Sequence, residues 1–314
     1  MSGSARGLVL GYVLDVCVGD PRRRHPVAAY GAAVWRLEQR MHADGRTRGA
    51  IFWGVCVAGP VIASGVLARR HGTLVTTLAA WVVLGQRSLV REGLLLADAL
   101  ERHDVGEARR RLPALCGRDP SSLDRQQLAR AGVESLAENT SDAVVAPLLW
   151  GALLGVPGLV GYRAVNTLDA MVGNRSARHR EFGWASARAD DVANLLPSRL
   201  TGVLTCLAAP LVGGRPATAW STWRRYGHRH PSPNAGHCEA AAAGALGLRL
   251  GGRVEYASGV EDRPVLGDGA PPDAHDVRRA ARLSAAVGLL AAGLSAGLSA
   301  GLGAGFAAIA GSRP

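Results

Sequence analysis

The sequence predicts an all-α fold, a polytopic α-helical integral membrane protein with polar helical loops. Three observations favour this class. Hydrophobic residues make up 48% of the 314 positions and charged residues only 19%, below the roughly 25% usual in soluble domains. The charges are crowded into a few stretches and leave long uncharged runs between them. Strand signals are few, and only residues 253–256 carry one.

The uncharged runs mark the expected membrane segments of a single domain that covers residues 1–314. These runs are residues 7–18, 51–68, 72–86, 143–162, 200–214 and 283–311. A helix needs about 20 mostly apolar residues to cross a bilayer. The run at 72–86 is short, so we read it with the preceding run as a helical hairpin. The first run is not predicted to be a cleaved signal peptide, because it contains Asp15 and no A-x-A site follows it.

The run at 143–162 poses a topological problem. If it crossed the membrane fully, the polar stretches 131–142 and 163–199 would lie on opposite sides, although their residues suit one site. Gly155-Val156-Pro157-Gly158 is a turn signal in its middle. Half-helices can enter a membrane and return where their backbone is buried in protein. We therefore predict a re-entrant element here.

Glycines recur every four residues in the last run, at Gly293, Gly297, Gly301 and Gly305. On a helix they form one stripe, which allows a second membrane helix to approach closely. Helix–helix self-association through this stripe is one interpretation. An Ala/Gly-rich span without a specific partner is the other.

The loops carry helical patterns of their own. One helix within residues 19–50 has an apolar face formed by Val27, Tyr30, Val34, Leu37 and Met41. Its opposite face carries Arg36, Glu38 and Arg40, so we expect it to lie along a surface. Asp104-Val-Gly-Glu107 resembles a capping box that opens a short helix.

The basic residues exclude several functions. All 36 are Arg, the chain has no Lys, and the net charge is +11. Neither a P-loop nor a pyridoxal phosphate Schiff base can be built without Lys. Arg beside apolar spans is typical of cytoplasmic flanks, so we expect a lipid bilayer and no nucleic acid as partner. The five Cys include no CxxC pair, which argues against a disulfide framework or a zinc site.

The densest polar cluster is ESLAENTSD at 134–142. On a helix, Glu134, Glu138 and Asp142 form one acidic ridge beside Asn139. Like charges at this spacing repel each other, so stability alone does not favour the pattern. Its functional interpretation is Mg²⁺ binding or general-base catalysis. The alternative is a solvated helix end.

Two further clusters combine acids with Arg and amide side chains. In YRAVNTLDAMVG, the residues Arg163, Asn166 and Asp169 are three apart, so Arg can hold a phosphate and Asp a metal. The alternative is an Arg–Asp pair within a helix. In REFGWASARADDVANLLPSR, adjacent Asp190 and Asp191 are costly unless Arg188 or a divalent ion neutralises them; this stretch can also be a simple amphipathic helix start.

Two tight turns, Gly19-Asp20-Pro21 and residues 232–236, each precede a helix whose backbone N–H groups can bind an anion. The second helix is expected near residues 239–248, closed by Gly251-Gly252. His228, His230 and His237 are close in sequence, but we predict surface histidines rather than a metal site.

Six strings, in this order, resemble the CobD/CbiB family of cobalamin biosynthesis proteins. They are LDVCVGDPRRRHPV, CGRDPSSLD, ARAGVESLAENTSDAVVAPLLW, YRAVNTLDAMVG, FGWASARADDVANLLPSRLT and SPNAGHCEAAAAGALGLRLGG. They span the chain from residue 14 onward and end before the last apolar run.

The resemblance implies an enzyme of the cell (inner or plasma) membrane, multi-pass, with its site on the cytoplasmic side. The implied activity is that of adenosylcobinamide-phosphate synthase, an acid–amine ligase. It joins a carboxyl group of adenosylcobyric acid to (R)-1-amino-2-propanol O-2-phosphate, or to aminopropanol, with ATP as co-substrate and Mg²⁺. The alternative is a polytopic transporter of a small anionic or corrinoid solute, although acids at span ends favour a surface site.

Set against this chemistry, the residues give a predicted site. We expect catalysis by Glu134, Glu138 and Asp142. Substrate binding is assigned to Asn139, Arg163, Asn166, Arg188 and Asn234. Metal binding is assigned to Asp142, Asp169, Asp190 and Asp191.

Overall fold

A computed structural model describes residues 3–20, 25–70, 72–174, 176–256 and 259–311. Pro21 of the first predicted turn lies outside these residues. The helices are α1 (Gly3–Val18), α2 (Pro26–Met41), α3 (Arg46–Arg70), α4 (Gly72–Val83), α5 (Gln86–Glu101), α6 (Val105–Arg111), α7 (Arg125–Thr140), α8 (Ala146–Val172), α9 (Trp184–Ala193), α10 (Leu195–Ala208), α11 (Pro216–Tyr226), α12 (Ala235–Leu246) and α13 (Ala274–Gly311). The strands are β1 (Leu250–Tyr256) and β2 (Gly259–Leu266), which form one antiparallel hairpin.

The predicted membrane class is confirmed. Five helical stretches of the described chain are long and apolar enough to cross a membrane: Arg46–Arg69, Gly72–Glu101, Arg125–Val172, Leu195–Val212 and Ala274–Ala304. In the first of them only 11% of the apolar window is buried, and Ile62 is 65% exposed. Large aliphatic side chains left on the outside of a helix suit contact with lipid tails rather than water.

The described chain packs into two compact units, both inside the predicted domain. Unit 1 contains Met1–Gly85, Ala146–Ala193 and Ala291–Pro314. Unit 2 contains Gln86–Val145 and Asn194–Leu290. Each unit therefore takes helices from separate parts of the sequence, and each carries its own polar cluster.

The core of unit 1 contains the predicted apolar face of α2. Val34 packs with Phe52 and Phe182, and Tyr30, Leu37 and Met41 border this core. The prediction that Glu38 lies on an exposed face is wrong, because its residue is only 4% exposed. Its carboxylate accepts hydrogen bonds from Arg178 (3.1 Å) and His179 (3.0 Å), and these two partners satisfy the buried charge.

The turn predicted inside the run at 143–162 is present in α8. Gly155 has a non-helical backbone with φ 67° and ψ −151°, a conformation that favours glycine, and Pro157 follows it. A Cβ atom added at Gly151 would lie 2.7 Å from Cγ of Leu159. Residues eight apart cannot touch along a straight helix, so the two arms of α8 lie side by side. Re-entry into the membrane stays a prediction.

Unit 2 is organised around α7. Asp124 and Gln127 form a reciprocal capping box at its start, and Asp104 caps α6 by accepting from the backbone N–H of Glu107 at 2.8 Å. The strand predicted at 253–256 is part of β1. The predicted closure of α12 is wrong, because this helix ends earlier, at Gly247 in the left-handed conformation.

Candidate active site

The polar centre of unit 2 is a cluster of two carboxyl groups and one imidazole. Glu138 comes from α7, His230 from the turn before α12, and Glu239 from α12 itself. One ligand atom of each residue lies within 4.8 Å of the others. Glu239 is fully buried and His230 is 8% exposed, whereas Glu138 is half-buried. The cluster therefore reaches the surface of its unit at Glu138.

Both buried members of this cluster have polar atoms that make no hydrogen bond within the described part of the chain. They are Oε1 and Oε2 of Glu239 and Nε2 of His230. Arg263 lies near Glu239, but its Nη1 is 3.9 Å from Oε1. Buried polar groups are nearly always hydrogen-bonded, so atoms left open in this way indicate a place prepared for a ligand.

Glu239 is a carboxyl group with a raised proton affinity. Burial raises its pKa well above the usual range, and the neighbouring charges of Glu138 and Glu134 raise it further. Two carboxyl groups in one desolvated site cannot both ionise easily. A cation bound beside the two side chains would favour ionisation of Glu239.

The orientation of His230 fixes the position of its ring proton. Nδ1 accepts a hydrogen bond from the backbone N–H of Ser232 at 3.0 Å. Burial and the charge of Arg263 lower the pKa of the ring, so the ring is neutral. A neutral ring with Nδ1 as acceptor carries its proton on Nε2, and His230 is a donor at the open nitrogen.

Glu134 lies one turn before Glu138 and has a different environment. It forms an ion pair with Arg118, and both side chains are buried. Its Oε1 also accepts from the backbone N–H of Gly251 at 2.8 Å, which attaches the β-hairpin to α7. These contacts give Glu134 a structural role, and its predicted catalytic role stays a prediction.

Arg199 and Asn234 are hydrogen-bonded at the start of α12, and we call this candidate site the anion-binding corner. Nη1 of Arg199 donates to Oδ1 of Asn234 at 2.8 Å, and Oγ of Ser198 donates to the same oxygen at 3.2 Å. Asn234 occupies the N-cap position of α12. A guanidinium beside a helix N-terminus is a favourable environment for a phosphate group.

Asp142 and Asn139 complete the predicted residues of unit 2. Asp142 lies in a π-helical segment, Ser141–Val145, of the kind often found at functional sites, and its charge acts on Cys238 of α12. The side-chain amide of Asn139 donates to the backbone carbonyl of Leu115 at 2.8 Å. Asn139 therefore holds the preceding loop, and its predicted substrate contact stays a prediction.

Unit 1 contains the remaining predicted residues. The charges of Asp190 and Asp191 act on the carboxyl group of Asp169. Asn166 donates to Asp190 at 3.3 Å, and Arg188 forms an ion pair with Asp191 at 3.3 Å. The two predicted clusters of this unit are thus brought together as one acidic group.

Arg163 lies at a second position in unit 1. Its charge acts on His25, whose pKa is lowered mainly by burial. The structure therefore associates this predicted phosphate ligand with the N-cap of α2, where Nδ1 of His25 accepts from the backbone N–H of Val27.

Sequence reasoning missed Glu239 and Arg263 and was wrong about His230, which is buried rather than on the surface. His228 is exposed as predicted, and His237 is half-buried and accepts a hydrogen bond from Trp223 at 2.9 Å. A usable signal for Glu239 was present. It is the one charged residue in the apolar string GHCEAAAAGAL, and an acid in such a helix is rarely buried without a partner or a function.

Comparison with known proteins identifies the family. The sequence matches the family described as CobD/Cbib protein over residues 8–284. The chain belongs to the CobD/CbiB family. This match covers unit 2 almost entirely and most of unit 1.

Curated relatives extend over nearly the same length. A protein of Mycobacterium tuberculosis (strain ATCC 25618 / H37Rv), named cobalamin biosynthesis protein CobD, is 51% identical over 287 residues, 90% of this chain and 92% of the relative. Proteins of the same name from Geobacter metallireducens and Rhodobacter capsulatus are 44% and 42% identical over 86% and 88% of this chain, and 89% and 91% of the relatives. No solved structure gives a significant match.

Proposed function

We propose that this chain is an adenosylcobinamide-phosphate synthase of cobalamin biosynthesis. It would join a carboxyl group of adenosylcobyric acid to the amine of (R)-1-amino-2-propanol O-2-phosphate, with ATP as co-substrate. The family supports the pathway. The observation that supports the reaction is the close pair Glu138–Glu239, in the same unit as the anion-binding corner at Arg199 and Asn234.

Amide formation makes two demands on the site. A carboxylate is a poor electrophile, so ATP must convert it to an activated form such as an acyl phosphate, whose charges need neutralisation. The attacking amine must lose its proton before it can act as a nucleophile. The half-buried Glu138 suits the second demand, because a carboxylate beside a protonated neighbour can accept the ammonium proton.

We propose that magnesium binds at the acidic group of unit 1. Asp169, Asp190 and Asp191 offer carboxylate oxygens, the donor type that Mg²⁺ prefers, and the ion would neutralise phosphate charge when bound. The predicted metal assignment to Asp142 is retained as part of the proposal, since its carboxylate lies in the π-helical segment of unit 2.

The membrane location suits a large amphipathic corrinoid. Arg46 and Arg48 lie at one end of the apolar part of α3, and Arg69 and Arg70 lie at the other, so Arg flanks do not orient this helix. We propose that the site faces the cytoplasm of the cell membrane, where ATP is available.

The decisive experiment is ligation in vitro by the detergent-solubilised full chain, followed by mass spectrometry of the corrinoid. We expect the mass of the amide product only when ATP, Mg²⁺, adenosylcobyric acid and the amine are all present. Absence of product in the complete mixture would contradict the proposal. Uptake of unmodified corrinoid into vesicles that contain the protein would instead indicate the transporter.

A further inference from the structure

We propose that Glu138 and Glu239 bind the ammonium group of the amine substrate, and that Nε2–H of His230 donates to an oxygen on the neighbouring carbon. This inference rests on the proposed function and names the part of the site that recognises the amine. Sequence reasoning assigned Glu138 to catalysis and did not use Glu239 or His230.

Glu239 offers two acceptor oxygens for an ammonium group. Neither carboxylate oxygen of the fully buried Glu239 is hydrogen-bonded to a residue that the structure describes, and Nη1 of Arg263 lies 3.9 Å from Oε1. Leaving such a group unsatisfied is costly. A primary ammonium has three N–H donors, and it can bond to both carboxyl groups of the pair at once.

His230 distinguishes an amine from a metal ion as the ligand of this cluster. Since Nδ1 accepts the backbone N–H of Ser232, Nε2 carries the ring proton and has no lone pair for a metal. Only two carboxyl groups then remain as ligands. The same N–H needs an acceptor, which a bare metal ion does not offer. An amino alcohol or its phosphate ester presents an ammonium and an oxygen on adjacent carbons.

Asn234 and Glu239 lie close together along α12. Asn234 precedes the helix and Glu239 follows five residues later, a rise of roughly 7 Å at 1.5 Å per residue. Arg199 extends the anion-binding corner at Asn234. The acids and the guanidinium therefore lie near the same end of α12, about one and a half turns apart.

A second group of the same residue types lies in a more exposed environment. Asp273, His275 and Asp276 also place their ligand atoms within 4.8 Å of one another. Here Asp273 and Asp276 accept each other's backbone N–H at 3.0 and 3.2 Å, which caps α13. This capping cluster provides the matched control.

The test measures binding rather than turnover, on the detergent-solubilised full chain by isothermal titration calorimetry. The probes are (R)-1-amino-2-propanol O-2-phosphate and 2-propyl phosphate, which lacks the amine. We expect Glu239→Gln and the less buried Glu138→Gln each to weaken binding of the amine roughly tenfold or more, because a charge-assisted hydrogen bond is lost. Binding of 2-propyl phosphate should be unchanged, and Asp273→Asn should affect neither probe.

The outcomes separate this inference from the proposed function. If wild-type protein binds the amino phosphate and both Gln variants bind it equally well, the inference is wrong and the proposed function stands. If wild-type protein does not bind the amino phosphate at all, both are wrong. If Glu239→Gln instead abolishes Mn²⁺ binding measured by electron paramagnetic resonance and leaves amine binding intact, the pair is a metal site. Retained 2-propyl phosphate binding confirms that each variant is folded.

Discussion

The two acidic groups of this chain contain similar residues in different surroundings. In unit 2, Glu239 is fully buried, and burial raises its pKa well above its usual range. In unit 1, Asp190 is bonded to an amide, and Asp191, whose side chain is 32% exposed, is paired with Arg188. These two half-buried carboxylates keep some contact with water, which suits an exchangeable divalent cation. A desolvated pair suits proton transfer and an ammonium ligand, so burial rather than residue type separates the two roles.

The largest expected effect is on the free energy of unfolding, and it concerns one ion pair in each unit. Arg118→Met would leave Glu134 charged and buried without its partner, and loss of one member of a buried pair costs about 3–5 kcal/mol. Arg188→Met removes a partner whose side chain is 65% exposed, where a pair contributes about 0–1 kcal/mol. Thermal unfolding of both variants in one detergent measures the difference. Equal losses would contradict the distinction between a buried and a hydrated group.

The next effect is on the rate of ligation. Glu138→Gln removes the proposed base, and loss of general-base catalysis costs about a hundredfold or more in rate. Asp142→Asn tests the neighbouring assignment by the same single-turnover assay. Either variant would contradict its assigned role if it inserted into the membrane normally and ligated at the wild-type rate.

A smaller effect distinguishes the groups by their cation requirement. Asp190→Asn should raise the Mg²⁺ concentration needed for half-maximal activity about tenfold, since one carboxylate ligand is lost. It should leave the affinity for the amine unchanged. Glu239→Gln should show the opposite pattern. The measurement is activity as a function of Mg²⁺ concentration and, separately, of amine concentration. If one variant shifted both half-maximal concentrations, the two groups would not have separate roles.

The smallest effect is a pH dependence of stability. Because the pKa of Glu239 in the folded chain lies well above its ordinary value of 4.5, its contribution is complete below about pH 4.5 and falls as the pH rises toward the folded value. The slope is at most about 1.4 kcal/mol per pH unit. Glu239→Gln should lose this dependence, so the melting temperatures of wild type and variant, compared from pH 5 to 8, should diverge as the pH rises. Parallel curves would contradict a protonated Glu239.

Local features of the fold were predictable because their causes are local. The apolar face of α2, the turn at Gly155 and the cap at Asp104 follow from residues within a few positions of each other. The burial of Glu38 was not predictable, because its partners Arg178 and His179 are about 140 positions away and meet it only in the folded chain.

The same reasoning applies to the site. The acidic ridge of α7 identified Glu138 from spacing alone, but periodicity could not show that Glu134 faces Arg118 and the hairpin. Glu239 was hidden for another reason. The apolar pattern of α12 predicted a helix and drew no attention to Glu239. The informative fact was the free-energy cost of burying the carboxyl group of a single acid in that helix.

The reversal at Gly155 has a consequence for membrane topology. A stretch that turns back does not change sides, so four of the five candidate stretches would remain as full crossings. An even number returns the chain to the compartment in which it started. The loop at 42–45, before α3, and the residues that follow Ala304 should therefore share one compartment, and reporter fusions at these two places would give the same accessibility.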